Sequence, residues 1–295
     1  MKKAFSLIEL SIVILIIGIL IAGVTQGSIM VAKSRLASAA KMTESSPVNS
    51  IKDLVAWFET TSDGSFKTTQ AEDGQPIDTW YDINQAAGSK NNATQASSAR
   101  QPTYIESSIN NLPVVRFQQV ISATDPDGDY LAADSIASIA PSPMTVFIVM
   151  KPTFTASVAT LKAAFSFHLG TTNSLIVGFA SGSDFAEVSG TTDFDIGYAS
   201  NLYNKPSIYS YKFYGPTNLT MDLYINGTSY TPTPVNSSQI LAANRFSIGQ
   251  EWDTNPSDFM SGDIAEFIIY GRALNNTERR EVEAYLSKKW GIKVS

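Results

Sequence analysis

The chain contains no cysteine among its 295 residues and only one histidine, His168. The absence of cysteine excludes disulfides, thiolate metal sites and a cysteine nucleophile. It does not decide the redox compartment, because a large core can be stable without cross-links. A lone histidine cannot anchor an ordinary zinc site, and no catalytic triad can be assembled around it. We therefore expect His168, which lies among Phe165, Phe167 and Leu169, to be a hydrogen-bonded structural residue.

Charged side chains are also scarce, at 16% of the chain, and they give a formal net charge of −6. Nucleic-acid binding through phosphates requires clustered lysine and arginine, so we expect no nucleic-acid partner of that kind. The hydrophobic content of 43% is ordinary for a folded protein. Serine, threonine, asparagine and glycine are abundant, which favours a β-rich fold with many turns over a helical bundle.

The longest apolar run is Phe5 to Val24, whose only clearly polar residues are Glu9 and Ser11. As a helix it would cross about 30 Å of hydrocarbon, and Lys2 and Lys3 before it place the N-terminus on the cytoplasmic side. A secretory signal peptide or a simple membrane anchor would share this pattern. The run is longer than a signal h-region, and an unpaired Glu9 in the span would cost ~2.5–3.5 kcal/mol, so a helix with a partner is favoured.

The opening residues, Lys2-Lys3-Ala4 followed by Phe5-Ser6-Leu7-Ile8-Glu9-Leu10, resemble the prepilin motif of type IV pilins. The resemblance implies that the prepilin peptidase cleaves between Ala4 and Phe5 and that the new amino terminus of Phe5 is methylated. It also implies that Glu9 pairs with the terminal amine of a neighbouring subunit during assembly. Ala4 stands where the family usually has glycine.

The proline that pilins commonly have within this helix is absent, and Gly18, Gly23 and Gly27 are candidates for local helix melting because glycine costs ~1 kcal/mol relative to alanine. Apolar residues at helical spacing predict that the helix continues over residues 29–42, and Ser45-Ser46-Pro47 predicts its end. We expect a leader at residues 1–4, a helix at 5–44 with its membrane span at 5–24, a linker at 45–50 and a β-sandwich at 51–295.

Beyond residue 50 the pattern changes to short strand-like runs separated by turn residues. Met144 to Met150 is almost wholly apolar and predicts a strand buried on both faces. Asn226-Gly227 predicts a type I′ hairpin turn. The further predicted strands are Val114–Phe117, Ala163–Leu169, Ser174–Ala180, Ile208–Tyr214, Asn218–Ile225, Arg245–Gly249 and Asp263–Tyr270.

One helix is predicted at the C-terminal end of the chain. Asn275 with Glu278 three residues later forms a capping signal, and Gly291 predicts the helix end. Its apolar stripe predicts packing rather than a ligand site and consists of Val282, Tyr285, Leu286 and Trp290.

These segments, in this order, resemble the LamG-like, concanavalin A-like jelly-roll domain from about residue 51 to residue 292. The resemblance implies two antiparallel sheets packed face to face, with carbohydrate or protein as common ligands, sometimes through calcium. Residues 118–128 are inserted where the family runs almost directly between two strands. The matching stretches are Thr79-Trp80-Tyr81-Asp82, Asn91-Asn92-Ala93-Thr94-Gln95, Gln101-Pro102-Thr103-Tyr104, Asn111 to Phe117, Asp129-Tyr130-Leu131, Asp222 to Gly227, Gly262 to Tyr270, Ala284-Tyr285-Leu286 and Trp290-Gly291-Ile292.

Two acidic groups are candidates for chemistry. Asp125, Asp127 and Asp129 alternate and could give Ca²⁺ several oxygen ligands, although the distal glutamate of an EF-hand loop is missing and a solvated turn is the alternative. Glu251 and Asp253 would share a strand face, but a further acid that jelly-roll glycosidases need is missing, so we expect no catalysis there. The aromatic residues considered for sugar stacking are Trp80, Tyr198, Tyr203, Tyr209 and Trp252, with core packing as the alternative.

The sequence therefore predicts an α+β chain: a long N-terminal membrane and assembly helix, then a mainly antiparallel β-sandwich with a C-terminal helix. We expect a type IV pilin-like filament subunit, not an enzyme, that displays a lectin-like domain. Its expected partners are the prepilin peptidase, other copies or related pilins, the assembly machinery, and a carbohydrate or surface protein. Its precursor would lie in the inner membrane before display in a surface pilus. The alternatives are a pseudopilin of a type II secretion or DNA-uptake system, and a membrane-anchored glycan-active enzyme.

Overall fold

The computed structural model describes residues 7–120, 127–133, 143–153, 162–169, 172–180, 183–188, 192–196, 204–214, 220–230, 233–234, 243–252 and 256–295. The chain begins with one long helix, α1, over Leu7–Glu44. Its 38 residues correspond to about 57 Å at 1.5 Å per residue. A short 3₁₀ turn over Val48–Ser50 follows, with Pro47 as its N-cap residue.

The strands are short and lie between α1 and the C-terminal helix α2, which spans Asn276–Trp290. They are β1 Leu54–Glu59, β2 Thr79–Trp80, β3 Ala93–Thr94, β4 Thr103–Ile109, β5 Leu112–Phe117, β6 Gln119–Val120, β7 Asp127–Gly128, β8 Leu131–Ala133, β9 Met144–Pro152, β10 Lys162–Leu169, β11 Thr172–Ala180, β12 Ser183–Val188, β13 Thr192–Ile196, β14 Ser207–Tyr214, β15 Thr220–Ile225, β16 Thr228–Tyr230, β17 Thr233–Pro234, β18 Arg245–Ile248, β19 Glu251–Trp252, β20 Pro256–Ser257 and β21 Gly262–Tyr270.

Two large antiparallel sheets form the sandwich. The first, sheet A, has the strand order β16-β15-β14-β9-β21-β5-β4, and β1 pairs with β21 beyond the point where β5 ends. The second, sheet B, has the order β17-β13-β12-β11-β10-β18-β8-β3-β2. Strands far apart in the chain are neighbours in both sheets, so the sandwich depends on long-range pairing. This arrangement confirms the predicted fold class.

Sheet A is buried on both faces. Its inner face packs against sheet B around residues such as Val146, Ile148 and Phe267. Its outer face carries a second apolar core, in which Phe147 and Val149 belong to one cluster with residues of α2. β9 contributes to both cores on alternate residues, which explains why Met144 to Met150 is almost continuously apolar. The prediction of a doubly buried strand is confirmed.

The local turn and cap predictions are also confirmed. Asn226 and Gly227 both adopt positive φ, 51° and 80°, as a type I′ turn requires. The Asn275 side chain accepts hydrogen bonds from the backbone N–H groups of Thr277 and Glu278, while Glu278 accepts one from the Asn275 N–H. Gly291 ends α2 in the left-handed conformation, with φ 66°.

Some predicted strand bounds were wrong. β18 ends at Ile248 and not at Gly249, because Gly249 has φ +89° and leaves the β region. β21 begins one residue earlier than predicted, at Gly262. β15 begins at Thr220, and the two residues predicted before it lie outside the described residues. The prediction missed several strands within the domain recognised over about residues 51–292, among them β1, β4, β12 and β13.

Candidate functional site

Most of α1 makes no packed contact with the rest of the chain. Every residue from 7 to 38 is exposed, and the helix has only two buried residues, Ala39 and Thr43. Both lie in its last two turns. The chain therefore presents a long projecting helix that is held at its C-terminal end.

The exposed part of α1 is strongly apolar. It includes a candidate membrane span with a mean hydropathy of 2.9 over an 18-residue window, none of it buried. Two hydroxyl groups of the apolar part are satisfied within the helix: Ser11 Oγ donates to Leu7 O and Thr25 Oγ1 to Ile21 O, each at 2.8 Å. Such bonds allow a hydroxyl to be tolerated where no water is present. The segment is suited to lipid or to packing among other apolar helices.

The residues predicted to be processed lie at the start of this helix. Ala4 and Phe5 lie outside the described residues, and their roles stay predictions. Glu9 lies in the first turn of α1 and is exposed. The helix is unbroken through Gly18 and Gly27, but local melting was predicted for an assembled filament and stays a prediction.

A group of buried polar residues fixes the end of α1 to the sandwich. We call it the anchor cluster: Thr43 of α1, Glu59 of β1, Glu266 of β21, and Tyr285 and Lys289 of α2. Glu59 and Glu266 are directly paired across sheet A, and both are almost fully buried. Two like charges at such a position repel each other and lose their hydration, so this pair requires a cation.

Lys289 is that cation. Its Nζ lies 2.7 Å from Glu59 Oε2 and 3.1 Å from Glu266 Oε2, with no exposure of any of the three side chains. The same Nζ donates to Thr43 Oγ1 at 2.7 Å. Thr43 Oγ1 also lies 3.2 Å from Tyr285 OH. One ammonium therefore joins α1, the paired strands β1 and β21, and α2.

Glu59 is held in its ionised form by several donors. Its carboxylate accepts hydrogen bonds from the backbone N–H groups of Thr61 at 2.8 Å and Ser62 at 2.6 Å, and from Ser65 Oγ at 2.8 Å. Burial by itself would raise the pKa of Glu59, but the charge and hydrogen bond of Lys289, with these further donors, lower that pKa to about 2.

Glu266 has a different set of neighbours. Its carboxyl accepts hydrogen bonds from Trp57 Nε1 at 2.7 Å, Trp290 Nε1 at 2.8 Å and Tyr285 OH at 2.9 Å. Burial raises the pKa of Glu266, and the charge of Glu59 adds to that effect, while Lys289 opposes it. The cluster thus combines one ammonium with two carboxyls, of which Glu59 has a lowered pKa and Glu266 a raised pKa.

The sequence analysis missed this cluster. A signal was present, because Glu59 ends the run Leu-Val-Ala-Trp-Phe-Glu and Glu266 interrupts Ile-Ala-Glu-Phe-Ile-Ile. An acid within a buried apolar strand needs a cation or hydrogen-bond donor as a partner, as Glu9 does within the apolar helix. What the sequence could not identify was the partner, since Lys289 is 230 residues from Glu59 along the chain.

The predicted acidic sites are only partly described. Asp125 lies outside the described residues, Asp127 is described as the first residue of β7, and Asp129 accepts a hydrogen bond from the Gln118 backbone N–H at 2.9 Å. Glu251 lies in β19 and Asp253 lies outside the described residues. Among the described residues no group of three or more His, Cys, Asp or Glu side chains could hold a metal ion. The calcium site stays a prediction.

His168 and two of the considered aromatics belong to the protein interior. His168 is fully buried, and its Nε2 lies 2.9 Å from Ser166 Oγ and 3.2 Å from Ser247 Oγ, as expected for a structural histidine. Trp80 and Tyr209 are fully buried and are not available for sugar stacking. Tyr198, Tyr203 and the side chain of Trp252 lie outside the described part of the chain.

Two family profiles match the sequence. The first is the prokaryotic N-terminal methylation motif, at residues 1–25. The second matches residues 125–278, which is more than half of the chain. The chain belongs to the concanavalin A-like lectin/glucanases superfamily. No curated protein matches the chain.

Solved structures agree with this fold. The binding domain of Paraclostridial mosquitocidal protein 1 is similar with a TM-score of 0.55 and 12% identity, over 81% of this chain and 55% of that one. The binding domain of botulinum neurotoxin serotype G is similar with a TM-score of 0.50 and 12% identity, over 80% and 51%. This chain spans about half the length of those chains. At such identity the likeness shows the fold alone.

The methylation motif is the signal of type IV pilins, and here it precedes a lectin-like sandwich. The apolar helix begins within the same motif. The combination identifies a pilin-like surface protein.

Proposed function

We propose that this chain is a type IV pilin-like filament subunit that displays its β-sandwich for adhesion to a glycan or to a surface protein. The observation that carries the proposal is the projecting apolar helix, exposed from residue 7 to residue 38 and held to the sandwich by a buried ionic cluster. A simple membrane anchor has no need for such a rigid connection. A subunit whose helix packs in a filament does need a rigid connection, because the packed helix then fixes the position of the displayed domain.

In this proposal the prepilin peptidase cuts between Ala4 and Phe5, and the new amine of Phe5 is methylated. The carboxylate of Glu9 in one copy then pairs with the amine of a neighbouring copy as the helices leave the membrane. An ion pair in a medium of low dielectric constant is strong and directional, so it would fix the axial register of adjacent helices. The apolar side chains around it would supply non-directional adhesion.

A groove beside α1 supports packing with further helices. It has a volume of about 690 Å³ and lies between residues 27–36 of α1 and the β4–β5 hairpin. Ile29, Val31 and Leu36 line one side, and Tyr104 and Pro113 line the other. These apolar α1 residues lie beyond the membrane span predicted at residues 5–24, and burial against another copy would remove them from water.

The test of assembly is to express the full chain in a host that makes surface filaments and to image the filaments with an antibody against the sandwich. We expect labelled filaments with the wild-type chain and their loss with Glu9→Ala. Glu281→Ala, which removes an exposed acid from α2, is the matched control and should leave the filaments intact. Equal filament numbers for Glu9→Ala and the control would contradict the proposed role of Glu9.

Adhesion needs a separate test, because assembly and ligand binding can fail independently. Sheared wild-type filaments are applied to arrays of glycans and to host surface proteins, with filaments that lack this subunit as the control. Binding that requires the subunit supports display of a lectin-like domain. If the chain is processed but remains in the periplasm without surface filaments, the pseudopilin alternative is favoured and the adhesion proposal is wrong.

A further inference from the structure

Two clefts lie on either side of the line where α1 meets the sandwich. The first, which we call the basic cleft, has a volume of about 220 Å³ and is lined by Arg35, Ser38 and Met42 of α1, Asn110 of the β4–β5 turn and Lys288 of α2. The second, which we call the acidic cleft, has a volume of about 310 Å³ and is lined by residues that include Ala40, Glu44, Asp63, Gly64 and Gln85. Both clefts open to solvent.

The clefts carry opposite charges. In the basic cleft Arg35 and Lys288 are exposed, and neither forms an ion pair with any residue that the structure describes. Lys289 also lines this cleft, but its ammonium is neutralised by Glu59. In the acidic cleft Asp63 is exposed and has no ion-pair partner among the described residues.

Glu44 also lines the acidic cleft, and its only described ion pair is weak enough for a cation of another copy to replace it. It pairs with Lys41 at 2.6 Å, with 78% and 62% of the two side chains exposed. An exposed pair of this kind contributes little to stability, so a second partner can replace it at low cost. The acidic cleft therefore offers two carboxylates to a cationic surface.

Helix geometry places the clefts on different sides of α1. At 100° per residue, the α1 residues of the basic cleft and those of the acidic cleft are centred roughly 140° apart around the helix axis. The buried residues Ala39 and Thr43, which face the sandwich, lie between them. The two groups are within about one helical turn of each other along the axis. Parallel copies inserted to the same depth would thus present the two clefts at similar heights.

We infer that the basic cleft of one copy contacts the acidic cleft of the next, so that the sandwiches associate through one repeated, heterologous interface. A two-fold symmetric contact through either cleft alone would bring like charges together, whereas a head-to-tail contact pairs Arg35 and Lys288 with Asp63 and Glu44. Because every copy carries both clefts, the contact propagates into an open assembly. The inference rests on the proposed filament and names a contact between the displayed domains, separate from the packing of the apolar helices.

Disulfide cross-linking in the full-length chain tests the contact directly, because the natural chain has no cysteine. Ser38→Cys places a thiol in the basic cleft and Gly64→Cys places one in the acidic cleft. A side chain at Gly64 would enter open space, and both positions are exposed. After mild oxidation of intact cells, we expect a ladder of dimers and higher oligomers from the double variant. Each single variant lacks one of the two thiols and should give no ladder.

A control pair at exposed positions outside both clefts, Lys52→Cys with Glu281→Cys, measures random collision in the membrane or filament. Imaging of the same cells separates the two proposals. Filaments without a ladder above this control overturn the interface and leave the filament proposal intact. A ladder without filaments supports the interface and contradicts the filament. If neither the ladder nor filaments form, both the interface and the filament proposal are wrong.

Charge reversal shows whether electrostatics hold the contact. Arg35→Glu in the double-cysteine chain should lower the cross-linked fraction about fivefold, which corresponds to about 1 kcal/mol for an exposed charge pair. Adding Asp63→Lys should restore the yield, because the two charges are then exchanged. An unchanged yield with Arg35→Glu, or no recovery on adding Asp63→Lys, would show that charge does not direct this contact.

Discussion

Replacement of Lys289 by methionine tests the anchor cluster most directly. Methionine retains most of the aliphatic stem but removes the ammonium, which leaves Glu59 and Glu266 buried without a cation. Removing one partner of a buried ion pair costs about 3–5 kcal/mol. The ionised form of Glu59 depends strongly on this cation, because burial raises the pKa of Glu59 and Lys289 is the largest of the influences that lower it.

For a domain of this size we expect Lys289→Met to lower the Tm by on the order of 10 °C. The assay is thermal unfolding of the full chain in detergent, followed by near-ultraviolet circular dichroism, to which the indoles of Trp57 and Trp290 beside the cluster contribute. Lys288→Met is the matched control, because it removes the same charge from the adjacent but exposed position on α2.

The reasoning is refuted if the two methionine variants melt within about 2 °C of each other. A rescue variant distinguishes charge imbalance from lost packing. Lys289→Met combined with Glu59→Gln and Glu266→Gln leaves no buried charge, so it should recover part of the lost stability. If the triple variant is less stable than Lys289→Met alone, hydrogen bonding and packing dominate over charge.

Three further predictions concern single side chains. Because the folded-state pKa of Glu59 is lowered, its stabilising contribution is present above pH 4.5 and is lost as pH falls towards 2; Glu59→Gln should flatten this acid limb in unfolding titrations, and an unchanged limb would contradict the assignment. Thr43→Val should cost about 1 kcal/mol and increase proteolysis between α1 and the sandwich, whereas exposed Ser45→Ala should not. Asn275→Ala should cost about 1 kcal/mol in denaturant unfolding through loss of the α2 cap, and Thr277→Ala serves as its control.

Local features of the fold were predictable because they depend on neighbouring residues. The type I′ turn at Asn226-Gly227 and the capping box at Asn275 and Glu278 follow from conformational preferences within four residues. The doubly buried strand β9 was predictable from its continuous apolar run. β1 was missed because it is short and ends in an acid, Glu59. Its sequence does not show that a distant cation pairs with this acid and allows it to be buried.

The sequence by itself determined the apolar helix, its orientation signal, the pilin-like motif around Glu9 and the β-rich character of the rest. These properties depend on composition and on order along a short segment. Only the tertiary structure decided that Thr43, Glu59, Glu266 and Lys289 share one buried site, since the residues come from four elements and the ion pair spans most of the chain. It also placed two oppositely charged clefts beside α1. Charge and burial at such sites arise from long-range strand pairing and helix docking, which short-range patterns do not encode.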